Sequence, residues 1–168
     1  MMKSKKADEK MAYQKKYLEL AAKKALENVG TQVGGPFGTV IVKKDQLIAQ
    51  AHNQVLQSHD PTAHGEITAI RQACQKLGTH DLSGCELYTN AYPCPMCLGA
   101  IIWSNIKTVY YGNTAQDAAA IGFRDDFIYR FVKENCQDTA VLNLTQHDRS
   151  LTIKTFQAFA KNSASKTY

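Results

Sequence analysis

The sequence contains little proline (4 of 168 residues), a single tryptophan and no unbroken apolar run long enough to cross a bilayer. Such a run needs roughly 18 residues, so no ordinary membrane-spanning helix is expected. With 4 Pro and 10 Gly, the chain has neither the composition of a collagen-like nor of a low-complexity protein. Its 5 cysteines are too few for a disulfide-stapled scaffold. The lysine-rich start, residues 1–10, lacks the apolar stretch that a secretory signal places after its charged end. A cytoplasmic location is therefore expected, with the cysteines as thiols or metal ligands. What is present is 44% hydrophobic and 21% charged residues, enough for one globular domain with its own core.

The net charge of +5 points to nucleic acid only if the charge is spread over the fold. It is not. Residues 1–24 hold eight lysines against three acids, which accounts for all of it, and the remainder carries equal numbers of basic and acidic side chains. A groove that tracks phosphates needs cations through the body of the domain, so a solvated helix face is the reading here and nucleic acid is not expected as a partner.

Residues 8–28 set Tyr13, Tyr17, Leu20, Ala21 and Ala25 at three- and four-residue spacing among Lys and Glu, predicting an amphipathic helix that ends near Gly30. Residues 37–42 and 46–51 are short β-branched or apolar runs joined by a Lys-Lys-Asp turn, the pattern of a hairpin. Asp60-Pro61-Thr62 supplies an N-cap and a proline for a second helix, whose apolar face is Ile67, Ile70, Ala73, Cys74 and Leu77 and which stops at Gly78. Strands are expected over 86–90 and 107–111 with a proline-opened helix over 95–104 between them, a fifth strand over 139–144, and helices over 126–134 and 151–160. This alternation predicts an α/β domain in three layers (α/β/α): a mixed central sheet of about five strands with helices on both faces.

His64-Gly65-Glu66 falls in the first turn of the second helix, and Pro93-Cys94-Pro95-Met96-Cys97 falls where the third strand gives way to its helix. Helix N-termini gather at one end of such a sheet, so these distant segments can share one ion. One imidazole and two thiolates make a three-ligand zinc site, which keeps its fourth position for water, whereas a structural site needs a fourth protein ligand. Cys74, Cys85 and Cys136 are poorly placed to supply one. Zinc lowers the pKa of its water towards neutrality, and Glu66, two residues from His64, can take that proton and pass it to a substrate. A lone His-x-Glu or Cys-x-x-Cys is a weak signal, but the two together at helix starts, with Pro before the first Cys, are specific for zinc chemistry.

With these residues in place the chain resembles the cytidine deaminase-like superfamily and, within it, the small bacterial guanine deaminases; H-x-E followed by P-C-x-x-C is the signature of zinc nucleobase deaminases. The resemblance rests on Gly34-Gly35-Pro36-Phe37-Gly38, Asn53, Asp60-Pro61-Thr62-Ala63-His64, Cys94-Pro95-Met96-Cys97-Leu98-Gly99-Ala100-Ile101 and Gly122-Phe123-Arg124-Asp125-Asp126-Phe127-Ile128-Tyr129. It implies one zinc per subunit on His64, Cys94 and Cys97, and hydrolysis of guanine to xanthine and ammonia in purine catabolism or salvage. Glu66 would carry the proton. Asn53 would hydrogen-bond the purine, Phe37 would stack on it, Trp103 would line the pocket, and Asp125 would meet the base's edge and assist proton transfer.

It also implies a single deaminase domain over 1–168 with a flexible start at 1–10. The helix and tail of about 150–168 would close the active site, exchanged between the subunits of a homodimer, with Tyr168 at the pocket mouth. Two positions depart from the guanine enzymes: Gly65 stands where they carry Ala, and Tyr92 where Glu is common. A tRNA-specific adenosine deaminase, or a deaminase of another free base such as cytosine, is the alternative.

Overall fold

The structure, a computed structural model, describes residues 12–167. It divides into two compact units, one running to Asp125 and the other beginning at Asp126.

In the first unit the elements are α1 (Lys15–Leu26), β1 (Gly38–Lys43), β2 (Gln46–His52), α2 (Val55–Ser58), α3 (Gly65–Leu77), β3 (Cys85–Ala91), α4 (Pro95–Trp103), β4 (Thr108–Asn113) and α5 (Ala115–Ala120). The sheet order is β2-β1-β3-β4. β1 pairs antiparallel with both β2 and β3, and β3 pairs parallel with β4. Hence β2, β3 and β4 all point the same way, and their carboxyl ends share a rim with the start of β1.

The period-2 alternation of β1 sends its side chains into two separate cores. Val40 and Val42 join Tyr17, Ala21 and Tyr88 under α1 on one face, while Ile41 joins Ala49, Ala69, Ala73, Leu87 and Ile101 under α3 and α4 on the other. Val40, Ile41, Val42, Leu87 and Tyr88 are fully buried. The expected three layers are therefore present. Close approach of α1 to β1 depends on Gly38, because a Cβ there would run into the Ala21 carbonyl and the Ala25 nitrogen. α3 ends as expected at Gly78, whose φ of 66° suits glycine at a left-handed C-cap.

Two expectations need correction. Asp60 does not cap the second helix. Its Oδ1 accepts from the Thr62 amide at 2.8 Å and the Thr62 hydroxyl at 2.7 Å, closing a turn, and the helix begins only at Gly65 with His64 in the cap position. Nor is residues 139–144 a strand: among the described residues the sheet has four strands, not about five. Turn chemistry overrides the apolar run there, since the Asp138 carbonyl accepts from the amides of Val141 and Leu142, and its side chain accepts from Ala140.

The second unit holds α6 (Asp126–Lys133) and α7 (Arg149–Lys161), close to the helices expected over 126–134 and 151–160. No helix of the described residues is long and apolar enough to cross a membrane. Three of the four lysines of α1 pair with acids: Lys15 with Glu19, Lys16 with Asp45 and Lys24 with Glu27.

Candidate metal centre and active site

The shared rim is where the chemistry gathers. β2 leads through α2 into α3, and β3 leads directly into α4, so both helices start beside the carboxyl ends of their strands. His64 is the N-cap residue of α3 and Cys94 that of α4, and both have extended backbones. An N-cap side chain ordinarily folds back onto its own helix. Neither does so here, and instead they face each other, with His64 Nδ1 3.5 Å from Cys94 Sγ and 3.6 Å from Cys97 Sγ. Pro95 occupies the first turn of α4, where its missing N–H costs nothing, and Cys97 lies one turn in and fully buried.

These spacings test the fit of an ion. Tetrahedral zinc with bonds of about 2.0–2.1 Å to nitrogen and about 2.3 Å to sulfur requires an N···S edge of about 3.6 Å, which matches both observed separations. His64, Cys94 and Cys97 are also the group of metal-binding side chains whose ligand atoms lie within 4.8 Å of one another. The cluster is electrostatically prepared. Cys94 is pushed down to about 4 by hydrogen bonds with the Cys97 thiol and then His64, while His64 is raised by Cys94. Sharing a proton with Cys94, together with burial, drives Cys97 upward. A helix N-terminus adds its own stabilisation of thiolate charge.

Glu66, in the first turn of α3, is buried at 5% exposure. Its Oε2 accepts from Cys97 Sγ at 3.4 Å, and its Oε1 accepts from Thr89 Oγ1 at 3.4 Å; Thr89 in turn meets Thr39 Oγ1 at 3.4 Å. Burial pushes its carboxyl above the ordinary carboxylate value.

Asn53 and Phe37 sit together on the same rim. The Asn53 amide donates to the Phe37 carbonyl at 2.9 Å. Asn53 Oδ1 accepts from the Gly35 and Val55 amides at 3.3 and 3.1 Å, and only an oxygen can accept from those two N–H groups. The amide orientation is thereby fixed, and Nδ2 is left with no hydrogen bond among the described residues. Gly34 makes room for this arrangement, because a Cβ there would collide with Asn53 Oδ1. Phe123 packs edge-on against Phe37 with centroids 4.9 Å apart, and half-buried Asp125 follows two residues later.

The other expected positions are spread more widely. Trp103 ends α4, two and a half turns from Cys94 and 70% exposed, beside a groove of about 530 Å³ that also involves Thr62, Ile67, Arg71, Met96 and Gly99. It is not brought to Asn53 and Phe37. Tyr168 lies outside the described residues. At Gly65 a Cβ would come within 3.1 Å of both the Phe37 carbonyl and the Thr39 hydroxyl, so alanine requires its neighbours to give by a few tenths of an ångström. Tyr92 stacks edge-on against Tyr111 at 5.1 Å, and its amide donates to the Asn113 carbonyl. Sequence reasoning did not single out Thr89, Phe123 as a neighbour of Phe37, or Asn28, which donates to both the Gly35 and the Asn53 carbonyls.

An imidazole and two thiols at two helix starts, with a buried carboxyl beside them and no fourth ligand among the described residues, define a zinc-dependent hydrolase. The family described as the cytidine and deoxycytidylate deaminase zinc-binding region matches residues 11–113, and the chain belongs to it. Guanine deaminase of Bacillus subtilis (strain 168) is 44% identical over 156 residues, covering 90% of this chain and 97% of that one. The X-ray structure of guanine deaminase from Bacillus subtilis superposes with a TM-score of 0.86 at 42% identity, covering 94% and 99% of the two chains. A tRNA-specific adenosine deaminase of Aquifex aeolicus (strain VF5) is 47% identical over 76 residues, but that likeness covers only 45% of this chain and 50% of the relative.

Proposed function

We propose that the protein hydrolyses guanine to xanthine and ammonia. The observation that carries this reading is the reach of the likeness, which spans 90% of this chain and 97% of the Bacillus subtilis guanine deaminase but 45–64% of this chain for the tRNA-specific adenosine deaminases of Aquifex aeolicus and Agrobacterium fabrum. The absence of a basic excess outside residues 1–24 supports a free base over RNA.

His64, Cys94 and Cys97 would hold the zinc, which when bound polarises water and lowers its pKa towards neutrality. Asn53 presents its unused amide N–H to the acceptor edge of the purine, and Phe37, backed by Phe123, offers an aromatic plate for its flat face. Asp125 meets the base's edge and assists proton transfer. Glu66 takes a proton from the attacking water as oxygen adds to the carbon bearing the amino group, and places it on the adjacent ring nitrogen. It then takes the remaining proton from the added hydroxyl and delivers it to the amine, ammonia leaves, and the carbon keeps the oxygen as a carbonyl.

The protein works as a homodimer in the cytoplasm, with the C-terminal helix and tail, Tyr168 included, exchanged over the partner's pocket, and with Trp103 completing that pocket. Support comes from α7, which has no buried side chain and leaves Leu151 and Phe156 exposed, and from α4, where Ile102 and Trp103 are exposed on an almost wholly apolar helix. The test is a spectrophotometric screen of guanine, adenine, cytosine and their nucleosides, with tRNA binding followed against salt. Turnover of guanine is expected. Salt-sensitive tRNA binding with no turnover of any free base would overturn the proposal in favour of the RNA enzyme.

A further inference from the structure

We infer that Asn28 is a positioning residue of the substrate pocket, holding in register the two segments that present Phe37 and Asn53; the inference rests on the guanine-pocket reading above. Asn28 lies two residues beyond the end of α1 and is buried at 4% exposure. Its backbone is fixed independently of its side chain: the amide donates to the Ala25 carbonyl at 3.2 Å, and its carbonyl accepts from the Thr31 amide and hydroxyl at 3.1 and 2.8 Å. From that anchored turn the side-chain Nδ2 donates to the Gly35 carbonyl and to the Asn53 carbonyl, both at 2.7 Å. Both amide protons are thus used on segments that are otherwise distant in sequence.

These bonds close a ring. Asn28 Nδ2 holds Gly35 and Asn53 by their carbonyls, the Gly35 amide returns to Asn53 Oδ1, and the Asn53 amide donates to the Phe37 carbonyl. The ring fixes the Asn53 side chain with its oxygen engaged and its nitrogen unused, and fixes the backbone carrying the Phe37 ring. No other side chain type of this size delivers two N–H groups from one atom: aspartate is isosteric but only accepts, and glutamine is a methylene longer. Asn28 Oδ1 is the buried side-chain N or O atom that has no hydrogen-bond partner among the described residues. Folding gains nothing from burying that oxygen without a partner, so the residue is best understood through what its nitrogen holds in place.

The test compares zinc-loaded Asn28→Asp and Asn28→Ala with the wild type in three measurements: zinc content, steady-state kinetics with guanine, and amide hydrogen exchange. Loss of the two bonds should raise KM for guanine by on the order of tenfold while kcat stays within about twofold and zinc remains at one per chain. Exchange should quicken at the Gly35 and Asn53 amides and stay unchanged at Ile41 and Leu87 in the sheet. Unchanged KM, an equal fall in kcat and zinc content, or failure of both variants to fold would overturn the proposal, the last because it marks a purely structural residue. If the wild type turns over no guanine, the functional reading fails by itself, and local exchange still decides whether Asn28 organises the rim.

Discussion

Replacing Glu66 by glutamine separates the proton carrier from the metal and from the fold. Glutamine is isosteric, its side-chain oxygen can still accept from Thr89, and it keeps His64, Cys94 and Cys97 in the chain while placing an amide NH2 instead of a carboxylate oxygen against Cys97 Sγ. One positioned proton carrier typically contributes a factor of about 10²–10⁴. In the proposed reaction Glu66 would serve both the attack of water and the departure of ammonia, so kcat should fall by about 10³–10⁴-fold, equivalent to ~4–5.5 kcal/mol of barrier. KM and zinc content should hardly change. Stability supplies an independent reading in metal-stripped protein. Burial raises the Glu66 carboxyl in the folded state above its unfolded value. The folded protein therefore binds more protons between the two values, and stability falls as pH rises through that window. The full contribution is present below the unfolded carboxyl value and is lost above the folded one. Glu66→Gln should remove this decline and be the more stable protein at neutral pH. Turnover within tenfold of wild type, measured as guanine loss and xanthine gain in the ultraviolet with zinc confirmed by elemental analysis, would refute the reasoning.

Chelation, or His64→Ala, should remove the single bound zinc and all turnover together, and re-addition of zinc should restore only the chelated wild type; metal-free activity would contradict the assigned ligands. Gly65→Ala should leave melting within ~1 kcal/mol of wild type, because better helix propensity opposes a 3.1 Å contact, while displacement of Thr39 is passed through Thr89 to Glu66 and lowers kcat by about fivefold. Ile41→Ala, at a fully buried position between β1 and α3, should cost ~2–5 kcal/mol in denaturant unfolding.

The cluster of His64, Cys94 and Cys97 was legible in the sequence because zinc chemistry restricts candidate ligands to a few residue types at helix starts, and Pro95 and the α3 apolar face mark those starts independently. The four strands were legible for the same kind of reason: Val40-Ile41-Val42 is an unbroken β-branched run, as a strand buried on both faces requires, and tertiary context agreed with local preference. Residues 139–144 carry an apolar run too, but Asp138 begins a turn and no strand partner follows. The short α5 was missed although Thr114 and Asp117 form its capping box, because six residues give too little periodicity to notice. Asn28 had no signature at all. It acts through backbone carbonyls of residues 35 and 53, which any sequence supplies, and only the closed turn after α1 brings its amide to them.

Because β1 begins where β2, β3 and β4 finish, His64, Glu66, Cys94 and Cys97 lie along one rim of the sheet, and the connection from α3 to β3 lies along the other. There the connection between Gly78 and Gly84 turns back on itself through the Asp81 carboxylate, with bonds to Ser83 and Asn105 and a link from Leu82 to Ser104. A fluorophore or a tether grafted at residue 79 would ride on that edge, at the far end of α3 from His64 and Glu66.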